Sequence, residues 1–146
     1  MSADWYREGN IARVIIQFLG EQGWSVENAA YSLIYQQEYK VFARFNAETL
    51  IIQIKSFPST VYTSGAKAGH LKTTMSASQA RRWHSGMLLS AVLAQADYPD
   101  AIIGIALPCF TSYRQLIQQT QEAFDKLGLV LYVVDSEGVV EMLTKT

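Results

Sequence analysis

The second half of the chain alternates strand-like and helix-like segments, and this alternation limits the fold more than any other feature. Apolar segments rich in β-branched residues cover about Thr49 to Phe57, Ala101 to Leu107 and Leu129 to Val134. The two segments between them, about Ser76 to Ala96 and Ser112 to Leu127, have helical character. A strand–helix–strand–helix–strand run favours a parallel or mixed sheet with helices on both of its faces.

Capping patterns mark the ends of these two helices. Ser76 and Ser112 each stand three residues before a glutamine, which is the capping-box pattern and predicts that each serine is the N-cap. Gly128 predicts the end of the second helix, because glycine readily adopts the left-handed conformation that terminates helices.

The first half begins with a helix and continues with a strand meander. An apolar stripe at helical spacing predicts a helix over about Trp5 to Gln22, and strands are predicted over Val26 to Tyr35 and Tyr39 to Phe45. A final strand, Val139 to Leu143, follows a turn signal that ends at Gly138. The predicted fold is therefore a single α/β domain, residues 1–146, with a central mixed β-sheet flanked by helices in the order α-β-β-β-α-β-α-β-β.

Composition excludes several classes of protein. The 146 residues suffice for a real core, and 49% hydrophobic with 17% charged residues argues against disorder. The N-terminal residues lack the pattern of a signal peptide, and the longest apolar stretch, Ile102 to Phe110, is far shorter than the ~20 residues of a membrane helix. The single cysteine, Cys109, fits a reducing compartment. We therefore expect a cytoplasmic protein with no membrane partner.

Two polar residues, Gln53 and Lys55, interrupt the apolar strand that follows the meander. They are two positions apart, so they point to the same side of a strand. A lysine at the end of a largely buried run suggests a specific role, because its ammonium group is expensive to desolvate. The alternative is that the two residues form a polar pair at the margin of the core.

The Gln53-x-Lys55 tripeptide on this strand resembles the acid-x-Lys motif of the restriction-endonuclease-like, PD-(D/E)XK, nuclease superfamily. The order helix, three strands, helix, strand is similar to the core order of that fold. The resemblance implies catalytic positions at Gln53 and Lys55 and Mg²⁺ as the only cofactor, with the lysine steadying the attacking water or the phosphate. It also implies an acid on the preceding strand, and Lys40 to Phe45 contains none.

The resemblance therefore implies a degenerate nuclease site. Glu38, just before that strand, or Glu48, in the turn after it, would have to replace the missing acid as a metal ligand. Glu8 matches the position of an auxiliary acid, and Gln53 would contribute only a neutral amide oxygen. Without two or three converging oxygens, a metal neither neutralises charge nor activates water. We expect weak or absent phosphodiester cleavage.

Charge is segregated along the chain although the net charge is only −1. All thirteen acids lie outside the interval Thr49 to Ala96, which creates a local positive surface. The predicted nucleic-acid-binding residues of this interval, beside Lys55, are Lys67, His70, Lys72, Arg81 and Arg82. The alternative is a solvated basic surface that maintains solubility.

Two classes of function remain open. The first is a nucleic-acid-associated protein, with DNA or RNA as partner, on a nuclease-like scaffold; residual Mg²⁺-dependent endonuclease activity through Gln53 and Lys55 is a variant of this class. The second is a non-catalytic homo-oligomer whose interface uses the aromatic residues of the early strands, such as Tyr39, Phe42 and Phe45.

Overall fold

The computed structural model describes residue 5 and residues 8–31, 39–55 and 77–143. In chain order the elements are α1 (Glu8–Glu21), β1 (Ser25–Tyr31), β2 (Tyr39–Phe45), β3 (Glu48–Ile54), α2 (Ala77–Asp97), β4 (Ile102–Pro108), α3 (Thr111–Leu127), β5 (Val130–Val134) and β6 (Val140–Met142). The order α-β-β-β-α-β-α-β-β is the predicted one, so the predicted fold class is confirmed.

The strands form one six-stranded mixed sheet in sequential order, from β1 to β6. The central strands β3, β4 and β5 are parallel, and the other pairings are antiparallel. The parallel strands are those joined through α2 and α3, because a helix supplies the crossover that a parallel pair needs. Asn46 and Ala47 form the tight β2–β3 turn, in which Asn46 adopts a positive φ of 53°.

Two apolar layers, one on each face of the sheet, hold the helices. Ile11, Ile15 and Leu19 of α1 pack against one face, which includes Ile52 and Ile54 of β3. The other face packs against α2 and α3; its buried residues are Ile51, Met87, Ala91, Ala94, Ile103, Ile105, Leu107, Ile117, Phe124, Leu129, Leu131 and Val133. Successive residues of β3 thus contribute to opposite layers, as strand alternation requires.

Gly104 of β4 allows close packing beneath α1. A Cβ atom at this position would lie 3.1 Å from a ring carbon of Tyr132 and 3.2 Å from Cγ1 of Ile52. The Tyr132 ring covers the glycine and meets Phe18 of α1 edge-to-face, with ring centroids 6.1 Å apart. The same burial raises the pKa of the Tyr132 phenol to about 12.

The predicted end of α3 is confirmed and its predicted start is wrong. Gly128 caps the helix in the left-handed conformation, with φ 73°. The N-cap is Phe110, which makes no side-chain capping bond, and the helix begins at Thr111 rather than after Ser112. Phe110 stacks on Trp5, with centroids 5.4 Å apart, so a packing contact rather than a capping serine accompanies the start of this helix.

All three helices begin at the same edge of the sheet. α3 starts two residues after β4, α2 ends shortly before β4 begins, and Trp5, which precedes α1, stacks on Phe110. Each helix therefore runs antiparallel to the parallel strands. We call the edge formed by the ends of β3, β4 and β5 the carboxyl edge, and the opposite edge the amino edge.

Candidate functional site

Gln53 lies inside the molecule, in the central strand β3 and only 1% exposed. Its Nε2 donates a hydrogen bond of 3.1 Å to the backbone carbonyl of Ser90 in α2. This bond fixes the orientation of the amide. The other amide atom, Oε1, is buried and has no hydrogen-bond partner among the described residues. An unpaired buried oxygen costs about 1–3 kcal/mol of stability, so this position is not optimised for stability alone. Gln53 is also part of the core, which corrects the alternative that places it at the core margin.

Lys55 follows the last residue of β3 at the carboxyl edge and is half-buried. Its backbone N–H donates to the carbonyl oxygen of Ala106 at 2.8 Å, which continues the parallel pairing with β4 by one residue. The predicted same-side relation of Gln53 and Lys55 is therefore consistent with the backbone. A third polar residue, Lys40 of β2, is paired directly with Gln53 across the sheet, so it shares that face.

Arg81 and Arg82 lie in the second turn of α2, near the carboxyl edge, and both are exposed. The first turn of a helix presents unpaired N–H groups and the positive end of the helix dipole. With α1 and α3 starting at the same edge, three such ends face the same way. The arrangement of exposed guanidinium groups beside helix N-termini favours anions.

Arg114 of α3 is also near this edge, but its charge is compensated. Its Nη2 lies 2.7 Å from a carboxylate oxygen of Glu141 in β6. This hydrogen bond, with a smaller contribution from Cys109, raises the pKa of the guanidinium above its ordinary value. Arg114 therefore contributes less to an anion-binding surface than Arg81 and Arg82 do.

His84 of α2 is a second buried titratable residue, and the sequence analysis predicted no part for it in a functional site. It is 6% exposed, and its ring meets Phe124 of α3 edge-to-face at 5.6 Å. The Thr120 hydroxyl donates to the carbonyl of Leu116 at 2.8 Å, so it accepts from His84 Nε2 at 3.3 Å. That assigns the proton to Nε2 and leaves Nδ1 buried without a partner in the described structure. Desolvation by burial lowers the pKa of His84.

A sequence signal for the burial of His84 does exist. Residues 84, 87, 91 and 94 recur at helical spacing, and the structure buries all four against the sheet and α3. Because His84 occupies an otherwise apolar stripe, its burial follows from the helical spacing of these four residues. Its hydrogen bond to Thr120 does not, since that bond depends on how α2 and α3 meet.

The donor set of the described residues does not fit a divalent metal. Within residues 8–31, 39–55 and 77–143, no group of three or more His, Cys, Asp or Glu side chains is placed to hold a metal ion. The orphaned Oε1 of Gln53 is one neutral oxygen, whereas Mg²⁺ in nucleic-acid enzymes is held by carboxylates together with phosphate oxygens.

For several predicted site residues, the side chain lies outside the described part of the chain. Glu38, Lys67, His70 and Lys72 lie outside the described residues. Glu8 is the first residue of α1, at the carboxyl edge, but its side chain is outside the described part of the chain. Their predicted roles in binding metal or nucleic acid stay predictions.

None of the helices in the described ranges combines the length and apolarity needed to cross a bilayer. No family model and no curated protein matches the chain.

Two crystal structures have a similar fold. One is an FdxN element excision controlling factor protein from Anabaena variabilis, with a TM-score of 0.55 and 16% sequence identity over 92% of this chain and 98% of that chain. The other is an XisH family protein from Nostoc punctiforme PCC 73102, with a TM-score of 0.54 and 14% identity over the same shares. At these identities the likeness concerns the fold alone, and it extends over nearly the full length of each protein.

Proposed function

We propose that this chain binds nucleic acid, with DNA as the preferred partner, at the carboxyl edge of its sheet, on a nuclease-like scaffold whose cleavage activity is weak or absent. The observation that carries the proposal is the placement of Lys55, Arg81 and Arg82 at the edge where all three helices begin. Exposed cations and helix N-termini both favour phosphate, so the two contributions add at one surface.

The amino edge of the same sheet has the opposite electrostatic character. Among the described residues, its cations are Arg44 and Lys126, and Arg44 is paired with Glu27 at 3.2 Å. The described carboxylates at or near this edge are Glu21, Glu27, Glu48, Asp97, Asp100 and Asp125. A polyanion is repelled from this edge and drawn to the other, which orients the protein on a phosphate backbone. The carboxyl edge also carries Asp135, whose Oδ1 accepts backbone N–H bonds from Glu137 and Val139 in the β5–β6 turn.

The nuclease-like character of the scaffold is supported by the position of Gln53 and Lys55. Gln53 lies in the third strand of a helix–three-strand–helix–strand core and Lys55 directly follows that strand, which is the placement that the PD-(D/E)XK resemblance implies. The half-buried ammonium of Lys55 is the group suited to contact a phosphate from within that edge. Cleavage is not part of the proposal, because the described donors comprise a buried amide where a carboxylate would be needed.

The fold comparison adds support for DNA over RNA. The similar Anabaena variabilis protein is described as a controlling factor for excision of the FdxN element, and excision of an element is an event on DNA. A DNA-associated role for this chain is consistent with that description. The comparison supplies no residues, so the surface is assigned on charge and geometry.

The test is fluorescence anisotropy of a labelled DNA duplex, titrated at several salt concentrations. Replacing Arg81 and Arg82 together with alanine should weaken binding and reduce the slope of log K against log salt by about 2, since each lost phosphate contact removes about 0.9. The matched control replaces the amino-edge cations, Arg44 and Lys126, with alanine and should leave the slope unchanged. Equal losses in both variants, or no binding by the wild type at low salt, would refute the proposal.

A single-stranded RNA of the same length completes the experiment. Equal or tighter binding to RNA would refute the preference for DNA, while the assigned surface would stand. Incubation of a supercoiled plasmid with Mg²⁺ or Mn²⁺ tests cleavage separately, and nicking that is lost in Lys55→Ala would show that catalysis survives.

A further inference from the structure

The outward face of α2 is apolar, although the inward face already forms a core layer. Leu89 is 60% exposed, Leu93 is 55% exposed and Val92 is 39% exposed. At about 100° per residue these side chains share one face with four other exposed positions. We call this face the α2 stripe; it consists of Arg82, Ser85, Gly86, Leu89, Val92, Leu93 and Ala96. A helix of a lone globular domain normally has a polar outward face, so the stripe is suited to a partner.

The charges on this surface are arranged symmetrically about Leu89. No charged residue occurs between Arg82 and Asp97, and both of these residues are exposed. Arg82 lies seven residues before Leu89 and Asp97 eight residues after it, which is about 11 Å along the axis in either direction. One end of the stripe is therefore basic and the other acidic, with an apolar centre.

We propose that the α2 stripe is a homodimer interface, in which α2 of one copy packs antiparallel to α2 of a second copy about a two-fold axis near Leu89. Antiparallel pairing places the basic end of each stripe beside the acidic end of the other. Helical geometry puts Arg82 and Asp97 on the same flank of the stripe, and a two-fold axis preserves the flank. Arg82 of each copy thus meets Asp97 of the second copy.

The same operation matches large residues with small ones. Leu93 and Gly86 share a flank at nearly equal distances from the axis, so Leu93 of one copy lies over Gly86 of the second copy. A Cβ at Gly86 would meet no atom of the described residues within 4 Å, so this glycine leaves open space on the surface that they form. On the other flank, Val92 lies over Ser85 in the same way. Self-complementarity of shape and charge is what an isologous interface requires, and it selects a second copy as the occupant.

The interface overlaps the proposed DNA surface at one residue. Arg82 belongs to both, whereas Arg81 projects to the opposite flank of the stripe and stays accessible to phosphate in the dimer. A single helix face is small beside the ~800 Å² per partner of a standard interface, so we expect a dissociation constant in the micromolar range, roughly 10–500 µM.

Sedimentation equilibrium without nucleic acid tests this inference independently of the proposed function. The wild type should shift from the 16.3 kDa monomer toward twice that mass as its concentration rises through the micromolar range. Leu89→Glu places two carboxylates at the two-fold axis and should raise the dissociation constant at least ~10-fold. The control is Val139→Glu in the β5–β6 turn, because Val139 is also 60% exposed and lies away from α2; it should dimerise like the wild type.

A charge swap distinguishes this packing from other dimers. Arg82→Asp and Asp97→Arg should each weaken dimerisation, since each places like charges together twice, and the double variant should restore it. Circular dichroism verifies that each variant is folded. A wild type that stays monomeric at ~500 µM, a dimer indifferent to Leu89→Glu, or a double variant no better than the singles would overturn the proposal.

Discussion

The two faces of the sheet are built from the same strands, but among the described residues only one face has buried side-chain polar atoms without a hydrogen-bond partner. Beneath α1, the buried residues of the described structure are aliphatic or aromatic, and Gly104 lets Tyr132 and Ile52 pack closely. Beneath α2 and α3, the layer includes Gln53 Oε1 and His84 Nδ1, both buried without partners among the described residues. The α1 layer therefore has the composition of a core optimised for stability, and the α2–α3 layer does not.

The unsatisfied atoms indicate that a requirement other than packing acts on the α2–α3 layer. A buried orphan oxygen at Gln53 costs stability, and an apolar residue of similar size would avoid that penalty. Gln53 is also two positions from Lys55 and the carboxyl edge, where the proposed phosphate-binding surface begins. Single substitutions in each layer test whether the two layers differ in this way.

The largest effect is expected from Gln53→Glu, which converts the tripeptide to the acid-x-Lys form. The carboxylate would be desolvated, and with no metal cluster in the described structure to compensate it, the free energy of unfolding should fall by about 3–5 kcal/mol at neutral pH. Urea denaturation followed by circular dichroism measures the change. Recovery of stability on adding Mg²⁺ or Mn²⁺ would show that further ligands reach this position and would contradict our reading of the site.

The next largest effect is expected at Ile52, the neighbour of Gln53 on the opposite face of the sheet, and the loss of stability there is compared with that at Gln53. Ile52→Ala should lower the free energy of unfolding by about 2–5 kcal/mol, because it leaves a cavity in the tight α1 layer. Gln53→Met should leave it unchanged or raise it by up to ~1 kcal/mol, since it removes the orphan oxygen together with the bond to Ser90. The same denaturation assay serves both variants. Comparable losses at the two positions would mean that the layers do not differ in the way described.

The sequence predicted the fold well because its signals were local. Strand–helix alternation in the second half predicted the crossover connections that join β3, β4 and β5. One error concerns the start of α3. Ser112 satisfies the capping-box pattern, but the helix begins at Thr111, and its N-cap, Phe110, stacks on Trp5, a residue far from it in the chain.

The candidate site was predicted less completely, and for a physical reason. Strand periodicity placed Gln53 and Lys55 on one side of β3, and the charge pattern identified Arg81 and Arg82. Periodicity does not tell which face a helix will cover, so the burial of Gln53 against Ser90 could not be derived. The convergence of three helix N-termini at one edge needs the topology, and the contact of His84 with Thr120 needs the crossing of α2 over α3.

The smallest effect is a pH dependence that belongs only to the α2–α3 layer. Burial lowers the pKa of His84 in the folded protein, while the unfolded chain keeps a value near 6.5. Below about pH 6.5 the unfolded state therefore binds more protons than the folded state, so the free energy of unfolding should fall as the pH is lowered from 7.5 to 5.5. The slope for a single proton is at most about 1.4 kcal/mol per pH unit.

His84→Gln, whose amide can keep a donor near Thr120, should flatten this slope. The control is His70→Gln, which makes the same substitution at the second histidine of the chain. Urea denaturation at each pH measures the slopes, and values above pH 5 avoid most of the carboxylate titration. If the wild type and His84→Gln lose stability in parallel, the acid sensitivity does not arise from His84, and the contrast between the two faces would rest on Gln53 alone.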